Sequence, residues 1–267
     1  MGKGGKKLSV LVLQGVLIPF LGTSLGAACV LLMKDQFHAK IQQSLNGFAG
    51  GIMIAASVWS LLIPSIEQAA FMGIWAFVPA IVGFWLGILL LVFLEHVIPY
   101  LDRTALQTKN TKKPFVKIMK FVLVVTLHNI PEGMAVGAVY AGWLSGKGSI
   151  TLTEALALSI GIAIQNVPEG AIISMPLQAH GMKKGKALLC GILSGAVEPV
   201  AALLTIIATA IVIPALPYLL SFAAGAMIYV VIEEMIPEMS SGEGPKLGTV
   251  FFAVGFTVMM ALDVVFG

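Results

Sequence analysis

Eight apolar runs, at about 8–33, 45–66, 74–98, 115–143, 152–178, 186–213, 217–237 and 247–266, take up most of this 267-residue chain. Each has the roughly 20 residues that a helix needs to cross the hydrocarbon of a bilayer. Lipid offers no hydrogen-bond partners, so a spanning chain must be helical or a closed barrel. The runs lack sustained period-2 alternation, so the barrel is excluded and an all-α integral membrane fold of eight transmembrane helices is expected. The balance agrees: 58% of residues are hydrophobic and 11% charged, against about 25% charged in soluble domains. Residues 1–267 then form a single polytopic domain, and any activity must be built from the spans and their short connections.

The first run follows Lys3, Lys6 and Lys7, and Leu25-Gly26-Ala27-Ala28-Cys29 faintly resembles a lipoprotein cleavage site. The run is longer than the 7–15 residues of a signal h-region and continues past Cys29 to Met33, so it reads as a retained helix. Cys29 and Cys190 are the only cysteines. Both lie in apolar runs and imply neither a disulfide framework nor a thiolate metal cluster.

Orientation follows the basic residues. With the amino terminus outside, the connections after runs one, three, five and seven hold twelve of the sixteen Lys and Arg, and only Lys3, Lys6, Lys7 and Lys147 fall outside. Both termini are then extracytoplasmic. Arg103 to Lys120 is the longest polar connection and reads as a cytoplasmic loop.

Two repeats stand out. His128-Asn129-Ile130-Pro131-Glu132-Gly133 matches Gln165-Asn166-Val167-Pro168-Glu169-Gly170, each inside a span. Phe48-Ala49-Gly50-Gly51-Ile52-Met53-Ile54 matches Phe222-Ala223-Ala224-Gly225-Ala226-Met227-Ile228, with Pro64 and Pro237 following at nearly equal offsets. The second pair lies on spans of opposite direction, the inverted arrangement of secondary transporters.

Carboxylates at membrane depth are costly and mark functional sites. Residues four apart share a helix face, so His128 aligns with Glu132 and Gln165 with Glu169. Pro131 and Pro168 each remove a backbone donor and predict a kink, and the glycines that follow admit close approach. Two glutamates in low dielectric carry a charge that one divalent cation neutralises. A proton relay has no use for the repeated Asn, Pro and Gly, and a catalytic zinc site would want His-Glu-x-x-His, which is absent. Imidazole at His128 and a thioether at Met53 favour Zn, Cd or Fe(II) over Mg or Ca. Without thiolates such a site is exchangeable, as a carrier requires. Glu198 is a third carboxylate at depth, and Asn129 and Asn166 could join it in a neighbouring site. Glu233 and Glu234 either line an exit or reach the interface. Glu95, His96, Asp102 and Asp263 read as interfacial.

These motifs, with Ser-Gly-Ala-Val-Glu-Pro at 194–199, Gly-Ile-Met-Ile-Ala-Ala-Ser at 51–57 and Glu-Glu-Met-Ile-Pro-Glu at 233–238, span the chain. It resembles the ZIP (Zrt- and Irt-like) metal transporter family, GufA-type branch. The resemblance implies eight helices, extracytoplasmic termini and a binuclear site at mid-membrane. Its first metal would be held by Met53, His128, Glu132, Gln165 and Glu169. The second would be held by Asn129, Glu132, Asn166, Glu169 and Glu198, with both glutamates bridging. Asn166 replaces an Asp found in some relatives, which leaves the second site one charge short. Residues 99–120 lack the histidine-rich loop that many relatives carry.

The expected function is transport of Zn(II), with Cd, Fe and Mn as further candidates, toward the cytoplasm by alternating access in the cell membrane, without enzymatic activity. Rival readings are a metal/proton antiporter working in efflux and a non-transporting metal sensor. Expected partners are divalent metal ions and the lipid bilayer, with a homodimer left open and no nucleic acid.

Overall fold

The computed structural model describes residues 3–32, 39–105, 113–146, 150–241 and 246–266, and these are helical throughout, with no strand among them. In chain order the helices are α1 (Lys3–Leu32), α2 (Ala39–Ala56), α3 (Ile63–Gln68), α4 (Phe77–Ala105), α5 (Lys113–Ser145) and α6 (Leu152–Ala179). They continue as α7 (Lys184–Gly195), α8 (Val197–Ile207), α9 (Thr209–Val212), α10 (Leu216–Val230), α11 (Ile236–Met239) and α12 (Leu247–Phe266). Among the described residues, seven stretches are long and apolar enough to cross a membrane: Ser9–Leu32, Lys40–Gln68, Phe77–Leu94, Leu152–Ala179, Lys184–Ile207, Leu216–Met239 and Leu247–Phe266. The expected eighth span, 115–143, falls on the 33-residue helix α5, part of which lies outside the residues whose side chains are described.

The polar connection 103–120 differs from expectation. Helix α4 runs on to Ala105 and α5 begins at Lys113. Only 106–112 remains of the loop, and it lies outside the described residues. Lysine and arginine are good helix formers, so charge alone does not end a helix that packing has already nucleated.

Helix α6 opens on a capping box. Thr151 Oγ1 accepts from the Glu154 amide at 3.2 Å, and the Glu154 carboxylate accepts from the Thr151 amide at 2.5 Å. These bonds satisfy donors that the first helical turn leaves without partners. The sixth expected span is broken between α7 and α8 at Ala196, so that Glu198 sits in the first turn of a new helix.

The repeated Phe48 and Phe222 motifs have a structural counterpart. Between α2 and α3 the chain widens into a π-helical turn at Ser57–Leu62, and between α10 and α11 into another at Val231–Met235. Each begins nine residues after its motif's phenylalanine, from Phe48 to Ser57 and from Phe222 to Val231. Such wide turns are rare and favour functional sites.

Four helix pairs dominate the packing: α1 with α6, α2 with α12, α4 with α10, and α5 with α8. In membranes close approach of backbones supplies the attraction that water supplies elsewhere. A methyl group added at Gly26 would overlap the Val167 carbonyl, at Gly51 that of Phe252, and at Gly225 that of Phe84. The main core, including Leu158, Tyr140 and Met227, lies between α2, α5, α6 and α10. Large apolar side chains on α4 and α12, among them Ile81, Trp85, Leu89 and Val254, point outward, the pattern of helices whose solvent is lipid.

Candidate metal centre

All eight residues singled out in the sequence, Met53, His128, Asn129, Glu132, Gln165, Asn166, Glu169 and Glu198, are more than nine-tenths buried. The two hexapeptides face each other across α5 and α6, and both helices pass through their prolines without interruption. Their glycines bring in the neighbouring helices. A methyl at Gly133 would overlap the Glu198 carbonyl oxygen on α8, and one at Gly170 would overlap the Thr23 carbonyl oxygen on α1. The close approach expected at these positions is therefore made by helices.

The cluster divides in two. Around a narrow cavity of about 30 Å³ stand Met53, His128, Glu132 and Glu169, with Ile172, Val230, Met235 and Glu234 further along its wall. Gln165 Nε2 donates to Glu132 Oε1 at 2.8 Å, joining the repeats directly. His128 Nδ1 lies 3.7 Å from Glu234 Oε2. Beside it, Glu198 accepts from Thr23 Oγ1 at 3.0 Å and from Asn166 Nδ2 at 2.8 Å. Asn166 Nδ2 also reaches the Pro19 carbonyl at 3.3 Å, and Asn129 Nδ2 donates to the Ser194 carbonyl at 3.0 Å. The second group thus ties α1, α5, α6, α7 and α8 together.

Six buried atoms of this cluster have no hydrogen-bond partner: His128 Nδ1, Asn129 Oδ1, Glu132 Oε2, Gln165 Oε1, Asn166 Oδ1 and Glu169 Oε1. A buried polar group left unpaired costs about 1–3 kcal/mol, so a cluster of such groups marks a place where a ligand would be stabilised. Five are oxygens, and Glu132, Glu169 and Glu198 lie close enough to repel one another. That donor chemistry suits a cation. As they stand, no group of three or more His, Cys, Asp or Glu side chains among the described residues converges on a single ion position. The amides of Gln165 and Asn166 are hydrogen-bonded to Glu132 and Glu198 in this arrangement.

Several residues were not nominated from sequence. Thr23 on α1 lies far along the chain from its partner, and no local pattern announces it. Asn46, Met235 and Glu238 line the cavity; Glu238 follows Glu234 by one helical turn, a spacing visible in the sequence. The structure separates the two adjacent acids: Glu233 is exposed and Glu234 lines the cavity. Asp263 corrects an expectation. It is half-buried rather than simply interfacial, accepts from Ser60 Oγ at 2.5 Å, and lines a second cavity of about 240 Å³ with Trp59, Glu67 and Glu154. The terminal position of Asp263 suggested solvent, but packing of α12 along α2 carries it inward. Glu95 and Asp102 have side chains outside the described residues, and His96 is exposed.

An all-helical, multi-pass membrane protein with carboxylates, amides and one imidazole buried between its helices is built as a carrier of small cations. Its sequence matches the family described as ZIP Zinc transporter over residues 102–263. It is 35% identical to the Zinc transporter ZIP11 of Xenopus tropicalis, over 96% of this chain and 97% of that protein. It is 36% identical to the Zinc transporter ZIPB of Bordetella bronchiseptica, over 93% and 79%, and 32% identical to the Zinc transporter GufA of Myxococcus xanthus, over 92% and 94%. The chain belongs to the ZIP zinc transporter family, and is a transporter rather than an enzyme.

Proposed function

We propose that this protein moves Zn(II) toward the cytoplasm by alternating access. Its eight spans include α5, both termini are extracytoplasmic, and its membrane is the cell membrane. The ion is bound by Met53, His128, Glu132, Gln165 and Glu169, and a weaker neighbouring position is formed by Asn129, Asn166 and Glu198 with the two bridging glutamates. Cd(II), Fe(II) and Mn(II) are further candidate substrates.

The observation that carries this reading is the set of six buried polar atoms without hydrogen-bond partners on the duplicated motif. Three of the residues carrying them line one cavity, and a second cavity lies farther along the same span. One leaves past Glu234 and Glu238 toward the start of α2, and the other is lined by Trp59, Glu67 and Asp263 near the end of α3. Each cavity includes residues of one of the two π-helical turns. Separate cavities toward the two ends of the same span, with donors lining the first, support a carrier that opens to one side at a time. Binding needs a turn of the Gln165 and Glu132 side chains, exchanging their mutual hydrogen bond for the ion.

The deciding test is metal flux into proteoliposomes, with Zn(II), Cd(II), Fe(II) and Mn(II) in turn and the proton gradient varied. Zinc uptake without an imposed pH gradient is expected. Flux only when protons run the opposite way would establish antiport, and tight binding without flux would establish a sensor.

A further inference from the structure

We propose that Thr23, on α1, is the positioning residue of the second metal position: its hydroxyl fixes the Glu198 carboxylate, so that the weaker zinc ion meets an acid already in place. The proposal rests on the reading that Glu198 contributes to such a position.

Glu198 is 1% exposed and Thr23 is wholly buried, so neither can exchange its partner for bulk water. Each oxygen of the carboxylate accepts from one side chain. Thr23 Oγ1 donates to Glu198 Oε1 at 3.0 Å, and Asn166 Nδ2 donates to Oε2 at 2.8 Å. Asn166 belongs to the proposed ligand set and must answer to the ion as well as to Glu198. Thr23 stands outside that set, so it can hold the acid in the empty and the loaded state alike. A carboxylate oxygen has two lone pairs, and the ion takes a free one without displacing the hydroxyl.

The hydroxyl has one proton and two acceptors within reach, Glu198 Oε1 at 3.0 Å and the Pro19 carbonyl at 3.5 Å. The nearer acceptor is a carboxylate, and hydrogen bonds to charged acceptors are the stronger, so the proton goes to Glu198. A β-branched side chain is stiff about χ1, and packing locks this one further. A methyl added at Gly195, on α7, would lie 2.7 Å from Thr23 Cβ and 2.8 Å from its Cγ2 and Oγ1. The missing side chain of Gly195 thus opens the slot that admits Thr23. Gly170, on α6, lies as close to the Thr23 carbonyl oxygen, so the backbone is held too. Three helices therefore set where the hydroxyl stands, and Glu198 on α8 follows it. Removing a hydrogen-bond partner that orients a metal ligand costs about 10–100-fold in affinity.

The test is zinc titration calorimetry on the purified full-length chain and on Thr23→Val, Thr23→Ser and, as a control, Thr205→Val. Valine keeps the shape and loses the donor, whereas serine keeps the donor. Thr205 is a buried threonine on α8 whose hydroxyl bonds the Ala201 carbonyl of its own helix. Thr23→Val is expected to weaken the second ion about tenfold or more and to leave the first unchanged. Thr23→Ser should keep the native affinity, and Thr205→Val should change neither ion. Should Thr23→Val fail to fold, Thr23→Ala, which removes the hydroxyl and adds nothing beside Gly195, carries the same expectation. An unchanged second ion in Thr23→Val, equal losses in Thr23→Ser or Thr205→Val, or equal weakening of both ions would overturn the role of Thr23 while the second position stands. A single ion in the unaltered chain would overturn the second position and this role with it.

Discussion

At the scale of single residues, Glu132 and Glu169 occupy matching positions of the duplicated hexapeptide and both line the central cavity. Replacing either with Ala is expected to abolish zinc flux while leaving a folded protein, because the desolvation cost of the buried carboxylate is removed together with its packing volume and offsets that loss. Proteoliposome flux and monodispersity of the purified variants check this. His128→Ala removes one neutral ligand and leaves the charge balance intact, so affinity or selectivity should shift before flux disappears. The second position is decided by Asn166. Its amide nitrogen already donates to Glu198, an interaction that a carboxylate there could not make. Asn166→Asp should therefore release Glu198, tighten the weaker metal and lower maximal flux, whereas Glu198→Ala should weaken that metal and spare the first. Titration calorimetry separates these outcomes: two equally tight ions in the unaltered chain, or loss of all binding in Glu198→Ala, would contradict the division into a primary and an auxiliary position.

At the scale of elements, the site depends on how closely helices approach one another. Gly133 and Gly170 belong to the same hexapeptides as the glutamates, yet what they touch is backbone on α8 and α1. Gly133→Ala and Gly170→Ala should each destabilise the bundle by about 1–3 kcal/mol through overpacking. The gain in helix propensity, about 1 kcal/mol, does not offset a clash with a backbone carbonyl. Thermal unfolding in detergent is the measurement, and a higher melting temperature in either variant would show that the approach is looser than it stands. The break at Ala196 has a related role. It places Glu198 in the first turn of α8, where free backbone amides favour a carboxylate, and beside Gly133.

At the scale of the whole molecule, orientation rests on the twelve-to-four split of basic residues. Single cysteines placed in 106–112, in a chain lacking Cys29 and Cys190, should be shielded from impermeant reagents applied outside intact cells. Labelling there would invert the topology and the direction of transport with it. Inward movement of a divalent ion across an inside-negative membrane gains roughly 4.6 kcal/mol per 100 mV, enough to drive accumulation without a co-ion. Zinc uptake into vesicles should accordingly rise when a potassium diffusion potential makes the interior negative, and an unchanged rate would argue for electroneutral exchange.

Hydropathy by itself determined that this is an all-helical membrane protein, because lipid leaves a chain so few ways to satisfy its backbone. Local spacing singled out the paired hexapeptides, whose polar side chains the fold buries together, because four residues make one face of a helix and a buried carboxylate needs a reason. A repeat was also legible, in the Phe48 and Phe222 motifs that precede the two wide turns. What only the tertiary structure decided lies between segments distant in the chain. Thr23 holds Glu198 across 175 residues, Gln42 and Asn46 hold Glu238 across nearly 200, and Asp263 turns inward to Ser60. No local pattern encodes such pairs. They follow from which helices the small residues allow to touch, and that is settled only when the bundle closes.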